Sequence, residues 1–187
     1  MIILRLRGGL GNQLFQYAAG KSLALHHNTS LKLDLYFYRT HNNRKFELEN
    51  FNIPVDLASR NEVHEFTGSN PIERFLNKRE NYLRCPGVFA QPHYHFYTDF
   101  FDLPDPLYLS GYFQSEKYFN PVVKQIREWY TPAQALDDNS AKLRDDMAAT
   151  QSVSLHVRRG DYVNQYASFF GTIPDEYYQA AIQEIQA

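Results

Sequence analysis

A lone cysteine, Cys85, in a chain of 187 residues excludes an internal disulfide and leaves no second thiol for a zinc site. That usage suits a reducing compartment, and Cys85 itself reads as a buried thiol. The chain also lacks an excess of either charge. Nineteen Lys and Arg stand against twenty-one Asp and Glu, a net −2 with no basic block, so the electrostatic footprint of a nucleic-acid binder is missing and a small-molecule partner is favoured. Nowhere do eighteen apolar residues run together, as a membrane-spanning helix would need. Only four residues precede Arg5, too few for the apolar stretch of a secretory signal, and the expectation is a soluble, cytoplasmic chain. Internal repeats and low-complexity tracts are absent too. What is abundant is aromatic side chains, 16% of the residues, which fit a large core and fit stacking against sugar rings equally well.

Periodicity lays out an α/β chain. "MIILRL" reads as a buried strand, and Asn12 to about Leu25 reads as a helix with Phe15, Ala18, Ala19, Ser22 and Leu25 on one side. "LKLDLYF" alternates Leu31, Leu33 and Leu35 against Lys32 and Asp34, which predicts a second strand and hence a right-handed βαβ unit. From Arg39 to Pro106 the pattern weakens into short helices and loops on one side of the sheet. Leu107 and Leu109 suggest another strand. Asn120 is placed to cap a helix that has Pro121 at its first position and Val122, Val123, Ile126, Trp129 and Tyr130 on its apolar face. Thr131-Pro132 ends it and is expected to start the next, whose Leu136, Leu143 and Met147 share a face. Val153, Leu155 and Val157 alternate as a strand, and a helix with Tyr178, Ala181, Ile182 and Ile185 on one face follows "IPDE". The expected division is an N-terminal α/β domain at 1–150 and the start of a second βα domain at 151–187.

Two stretches carry chemistry. "RLRGGLGNQLFQYAAGKS" has the spacing Gly9-x-Gly11, with Asp34 lying 25 residues beyond Gly9, as a dinucleotide fingerprint wants; the third glycine is replaced by Leu14, which obstructs close helix-to-strand packing. A P-loop is excluded because Phe15 stands where a glycine should precede the "GKS" at Gly20. What remains is a ready anion site at a helix N-terminus with the carboxamides of Asn12 and Gln13 beside it, or a tight turn that binds nothing. In "HVRRGDYV", Arg158, Arg159 and Asp161 fall where a strand becomes a loop, the place where an open parallel sheet binds its ligand. Guanidinium groups there suit phosphate oxygens, or else surface salt bridges. His93 and His95 are two apart with no third ligand at metal spacing, so no metal site is expected.

"GGLGNQLFQYA", "GYFQSEKYF" and "HVRRGDYV" followed by "YYQAAI" occur in the order seen in the α-1,2-fucosyltransferases of glycosyltransferase family 11, and across its whole length the chain resembles the N-terminal part of such an enzyme. The resemblance implies a GT-B-type architecture of two Rossmann-like domains: an acceptor-side domain at 1–150 and, from 151, the beginning of a truncated GDP-fucose-binding domain. It implies inverting transfer of L-fucose from GDP-β-L-fucose to the 2-hydroxyl of a terminal galactose in a glycan, with no cofactor and no divalent metal. Related bacterial enzymes build O-antigen lipopolysaccharide or capsule units in the cytoplasm or peripherally at the inner membrane face. By the same resemblance Arg158 and Arg159 contact the diphosphate, His156 and Asp161 shape the donor pocket, and Gly9, Gly11, Asn12 and Gln13 close over the donor. Arg158 and Asp161 are the catalytic candidates, Asp161 as a base. Two other readings stay open: a non-catalytic glycan- or partner-binding module, and a nucleotide-dependent oxidoreductase built on Gly9-x-Gly11 and Asp34.

Overall fold

Ile2, Ile3 and Leu4 are sealed from solvent on both sides, the signature of a strand at the centre of a parallel sheet. A computed structural model of the protein describes residues 1–41, 43–68, 87–157 and 173–186. The first strand, β1 (Ile2–Arg5), leads through a glycine turn to helix α1 (Leu10–His26) and strand β2 (Leu31–Asp34). The short helix α2 (Tyr36–Thr40) and helix α3 (Arg60–Thr67) follow, then strands β3 (Val88–Ala90) and β4 (Leu107–Ser110) and helix α4 (Val123–Trp129). The sheet order is β2-β1-β4-β3, and every pairing is parallel. The architecture is therefore mixed α/β with a four-stranded parallel sheet, consistent with a Rossmann-like fold.

Register decides which helix covers which face. Ile2 and Leu4 align with Leu31 and Leu33 on one flank and with Leu107 and Leu109 on the other, and this apolar face receives α1. The close approach that a third fingerprint glycine at position 14 would have allowed is made instead at Gly20, where an added Cβ would stand 3.1 Å from Leu4 and 3.2 Å from Leu31. Ile3, Lys32 and Tyr108 share the opposite face, which α3 covers: Lys32 Nζ donates to Glu62 Oε1 at 2.6 Å and Phe66 lies against Tyr108.

Several expectations need correction. The second strand stops at Asp34 because its carboxylate accepts from the Tyr36 amide and turns the chain into α2. The weak region hides β3, three residues long and too short for alternation to show. On α1 the buried set is Gln13, Gln16, Tyr17, Gly20, Leu23 and Ala24 along with Ala18, Ala19 and Ser22, while Phe15 and Leu25 are exposed. Asn120 opens a 3₁₀ turn without capping it, although Pro121 sits in the first turn as expected. Residues 131–133 do not begin a helix, because Thr131 accepts from the Asn52 amide and Ala133 donates to Asn50, an extended pairing that leaves Leu136 outside the helix.

The chain divides into two compact units, Met1–Leu136 and Asp137–Ala187. The second unit contains α5 (Asp138–Ala148), capped by Asp137 Oδ1 accepting from the amides of Asn139 and Ser140, and α6 (Asp175–Gln186). On the predicted face of α6, Tyr178 and Ala181 are half-buried and Ile182 and Ile185 exposed. The alternating segment at Val153, Leu155 and Val157 forms no strand: no neighbouring strand pairs with it among the described residues, and all three side chains are exposed.

Helix α3 carries an acid-sensitive anchor. Glu62 accepts from Lys32 and from the Ser59 amide in a capping box, and these bonds, the Lys32 hydrogen bond first, hold its carboxyl down at about 2 against 4.5 for a free side chain. Its folded-state pKa is depressed, so its contribution is complete above about 4.5 and is lost as pH falls toward 2. Thermal midpoints followed from pH 6 to pH 2 are expected to fall less steeply in Glu62→Gln than in the wild type across that interval.

Candidate functional site

The carboxyl ends of β1 and β4 lie side by side at the point where the strand order reverses, β2 being on one flank of β1 and β4 on the other. In parallel sheets this is where the diverging loops open a crevice. The loop after β1 carries Arg7, Gly8 and Gly9, and the loop after β4 carries Gly111 to Gln114. The two meet through named contacts. The Arg7 guanidinium lies over the Tyr112 ring, 4.4 Å from its centroid, and Gln114 Nε2 donates to Asn12 Oδ1 at 2.7 Å across 102 residues of sequence.

Gly8 turns the chain with φ +83°, and any Cβ there would strike the Asn12 side chain at 2.6 Å. Gly9 is the N-cap of α1 and offers no side-chain cap, and the first turn holds no acidic residue. The first amides of a seventeen-residue helix therefore point outward with the positive end of its dipole unanswered. Around Gly11 there is open space, and the side chain of Arg44 runs beside Gly9. Arg7 Nε is buried and has no hydrogen-bond partner among the described residues, so this guanidinium is held by the aromatic face beneath it. The ensemble is cationic and donor-rich, suited to an oxygen-bearing anion.

Glutamine amides hold the edge in place. Gln13, fully buried, donates to the carbonyls of Gly8 at 3.2 Å and Lys45 at 2.8 Å and accepts from the Glu47 amide at 2.9 Å. Gln16 closes a two-way pair with the Arg7 backbone. Gln91, after β3, accepts from the amides of Tyr112 at 2.9 Å and Phe113 at 3.0 Å, fixing the second loop. Tyr38 donates its hydroxyl to Gly8 O at 3.1 Å, and burial, with the nearby Glu47 charge adding to it, raises its phenol so that it stays a donor.

Of the residues singled out in the sequence, Gly9, Gly11 and Asn12 stand at this turn with Asn12 half-buried, whereas the Gln13 carboxamide is spent entirely on the backbone and braces the turn from within. His156 is exposed in the second unit. Arg158, Arg159 and Asp161 lie outside the described residues. Asp34, the carboxylate that a dinucleotide ribose would require, is buried; it accepts from Tyr108 Oη at 2.7 Å and the Tyr36 amide at 2.9 Å, which removes the basis of the oxidoreductase reading. The rings of His93 and His95 lie 6.0 Å apart, and among the described residues no three His, Cys, Asp or Glu side chains gather as a metal would need. Sequence reasoning passed over Arg7, Tyr112 and Gln114. The available signal was position, since Arg7 immediately precedes the double glycine and "GYFQ" immediately follows a strand.

Comparison with known proteins adds the following. Residues 90–187 match the profile described as glycosyl transferase family 11. An alpha-1,2-colitosyltransferase of Escherichia coli is 33% identical over 190 residues, covering all of this chain and 64% of that protein. The O-antigen biosynthesis glycosyltransferase WbnK of Escherichia coli is 30% identical over 205 residues, covering 97% of this chain and 67% of that protein. A galactoside 2-alpha-L-fucosyltransferase of Caenorhabditis elegans is 33% identical over 163 residues, covering 83% of this chain and 36% of that protein. The chain thus spans about two thirds of the length of the bacterial relatives and about a third of the nematode one. No solved structure matches it.

Three substitutions probe the frame of the site. Gly111→Ala places a Cβ 2.6 Å from Gln91 Cβ and from the Phe113 ring, and is expected to cost about 1–3 kcal/mol in urea unfolding. Gln13→Ala strands two carbonyls and an amide and is expected to cost about 1–3 kcal/mol, whereas Gln114→Ala, at an exposed position, changes stability by less than about 0.5 kcal/mol.

Proposed function

Because the chain belongs to glycosyl transferase family 11, we propose that it is part of a GT-B-type, metal-independent enzyme that transfers L-fucose, with inversion, from GDP-β-L-fucose to the 2-hydroxyl of a terminal galactose. The observation that carries this reading is the junction of the two loops at the carboxyl ends of β1 and β4, where Arg7, the α1 amides and Asn12 offer cationic and N–H groups beside an aromatic ring. As the fucosyl C–O bond breaks, the sugar becomes oxocarbenium-like and negative charge gathers on the departing GDP. Fixed guanidinium and amide donors aimed at that charge lower the barrier without reorganising.

In this reading Arg158 and Arg159 hold the diphosphate bidentately, and His156 and Asp161 shape the donor pocket. Gly9, Gly11 and Asn12 form the near wall that Gln13 braces. The acceptor hydroxyl attacks from the face opposite the GDP, and Asp161 takes its proton. The name of the bacterial O-antigen relative supports a role in building a surface polysaccharide, with the work done in the cytoplasm or peripherally at the inner membrane face. A second reading has an observation of its own: the colitosyltransferase relative aligns with the whole chain, which favours a colitosyl donor. Colitose is fucose lacking its 3-hydroxyl, so a site with a polar group for that hydroxyl would separate the two donors.

Calorimetric titration of the chain with GDP-fucose, GDP-colitose, GDP-mannose and NAD tests both. The fucosyl reading expects GDP-fucose to bind at least about tenfold tighter than the others, a difference of roughly 1.4 kcal/mol. Preference for GDP-colitose replaces the donor, and binding of NAD overturns the glycosyltransfer reading. In an enzyme completed to the length of its bacterial relatives, Arg158→Ala is expected to lower the transfer rate by about two orders of magnitude, and addition of EDTA to leave it unchanged. Near-normal turnover of the variant would remove Arg158 from the mechanism.

A further inference from the structure

Tyr94, in the loop after β3, is 75% exposed, the most exposed large apolar side chain among the described residues. It is not exposed because its loop is loose. Gln91 at the start of that loop clamps the amides of Tyr112 and Phe113, and the buried Tyr118 hydroxyl accepts from the Tyr97 amide at 2.8 Å and donates to His95 O at 3.2 Å. His93 Nδ1 bonds the same carbonyl at 3.2 Å. Held between these points, the Tyr94 ring stands nearly parallel to Tyr112, with 28° between the planes and 6.4 Å between centroids, and Tyr112 in turn carries the Arg7 guanidinium. A cation, a half-buried ring and an open ring thus form one rigid shelf outside the carboxyl ends of β3 and β4.

We propose that Tyr94 and Tyr112 form the stacking platform for the acceptor sugar, a galacto-configured pyranose laid with its C3–H, C4–H and C5–H face on the Tyr94 ring. The inference rests on the glycosyltransfer reading above and assigns its acceptor subsite. An aromatic shelf takes the apolar face of a sugar ring and lets its hydroxyls remain hydrated on the other side. A purine of the donor fits less well, because one exposed platform would leave its second apolar face in water. The axial 4-hydroxyl of galactose leaves three adjacent C–H groups on one face, whereas the equatorial hydroxyl of glucose breaks that patch. Preorganisation by the Gln91 and Tyr118 bonds means that little ordering entropy is spent when the sugar arrives.

Saturation-transfer NMR of the chain with methyl β-D-galactopyranoside tests the assignment, with methyl β-D-glucopyranoside and GDP as controls. The expected result is strongest saturation at H3, H4 and H5, an affinity for the glucoside about tenfold weaker, and signals that persist when GDP is added. Tyr94→Ala is expected to weaken the galactoside about tenfold and Tyr94→Phe to retain it; at this exposure neither change threatens the fold. An unaltered epitope in Tyr94→Ala, no saturation in the wild type, or displacement of the galactoside by GDP overturns the platform. Donor binding measured on the same sample separates the two claims. GDP-fucose bound without galactoside sinks the platform alone, and galactoside bound on Tyr94 without any nucleotide sugar, in an enzyme completed to the length of its bacterial relatives, sinks the transfer reading alone.

Discussion

The buried carboxamide of Gln13 is the constraint on which the carboxyl edge of the sheet depends. It gathers the Gly8 carbonyl, the Lys45 carbonyl and the Glu47 amide, groups from segments that no secondary structure joins. A neutral amide suits this work because it donates and accepts at once and needs no counter-charge in a dry setting. With Gly8 pinned, its positive φ follows, Asn12 lies over it, and the first turn of α1 is left open toward solvent. Removing water from these bonds strengthens them and raises the cost of losing any one.

The same economy appears in the second loop. Gly111 is buried beside Gln91 and the Phe113 ring with no room for a side chain, and Phe113 is pushed to φ +50° with its ring fully buried. The loops that meet at the carboxyl ends of β1 and β4 are therefore shaped by packing on the core. Aromatic residues supply both the packing and the exposed surface, Phe100, Phe113 and Tyr118 inside and Tyr94 outside.

How far the sequence foretold this depended on where the information lay. β1, β2, β4 and α1 were legible because uninterrupted apolar runs or simple periods encode them locally. β3 was not, since three residues carry no period, and the alternation at 153–157 has no strand beside it among the described residues to turn it into one. On α1 Gln13 and Gln16 stood outside the expected apolar side of Phe15, Ala18, Ala19, Ser22 and Leu25 and proved to be buried, because their partners are backbone groups of loops that a helical wheel does not display. The place of Gly9, Gly11 and Asn12 at the turn into α1 was legible from glycine spacing. Asp34 misled for the complementary reason: its distance from Gly9 was right, but Tyr108, two strands away, already occupied it. Arg7 and Gln114 derive their meaning from contacts across about a hundred residues, information that no local window holds.

Because the four strands among the described residues run the same way, no two of them can close as a hairpin, and the central strand must wait for its second neighbour. When the ribosome has delivered β1, α1 and β2, one hydrogen-bonding edge of β1 still lacks β4, which emerges only after some seventy further residues. During that interval a bare parallel edge of Ile2, Ile3 and Leu4 is open to other chains, so the nascent protein passes through an aggregation-exposed stage. The contact between Gln114 and Asn12 joins residues from either side of that interval, so the junction of the two loops depends on the completion of the sheet.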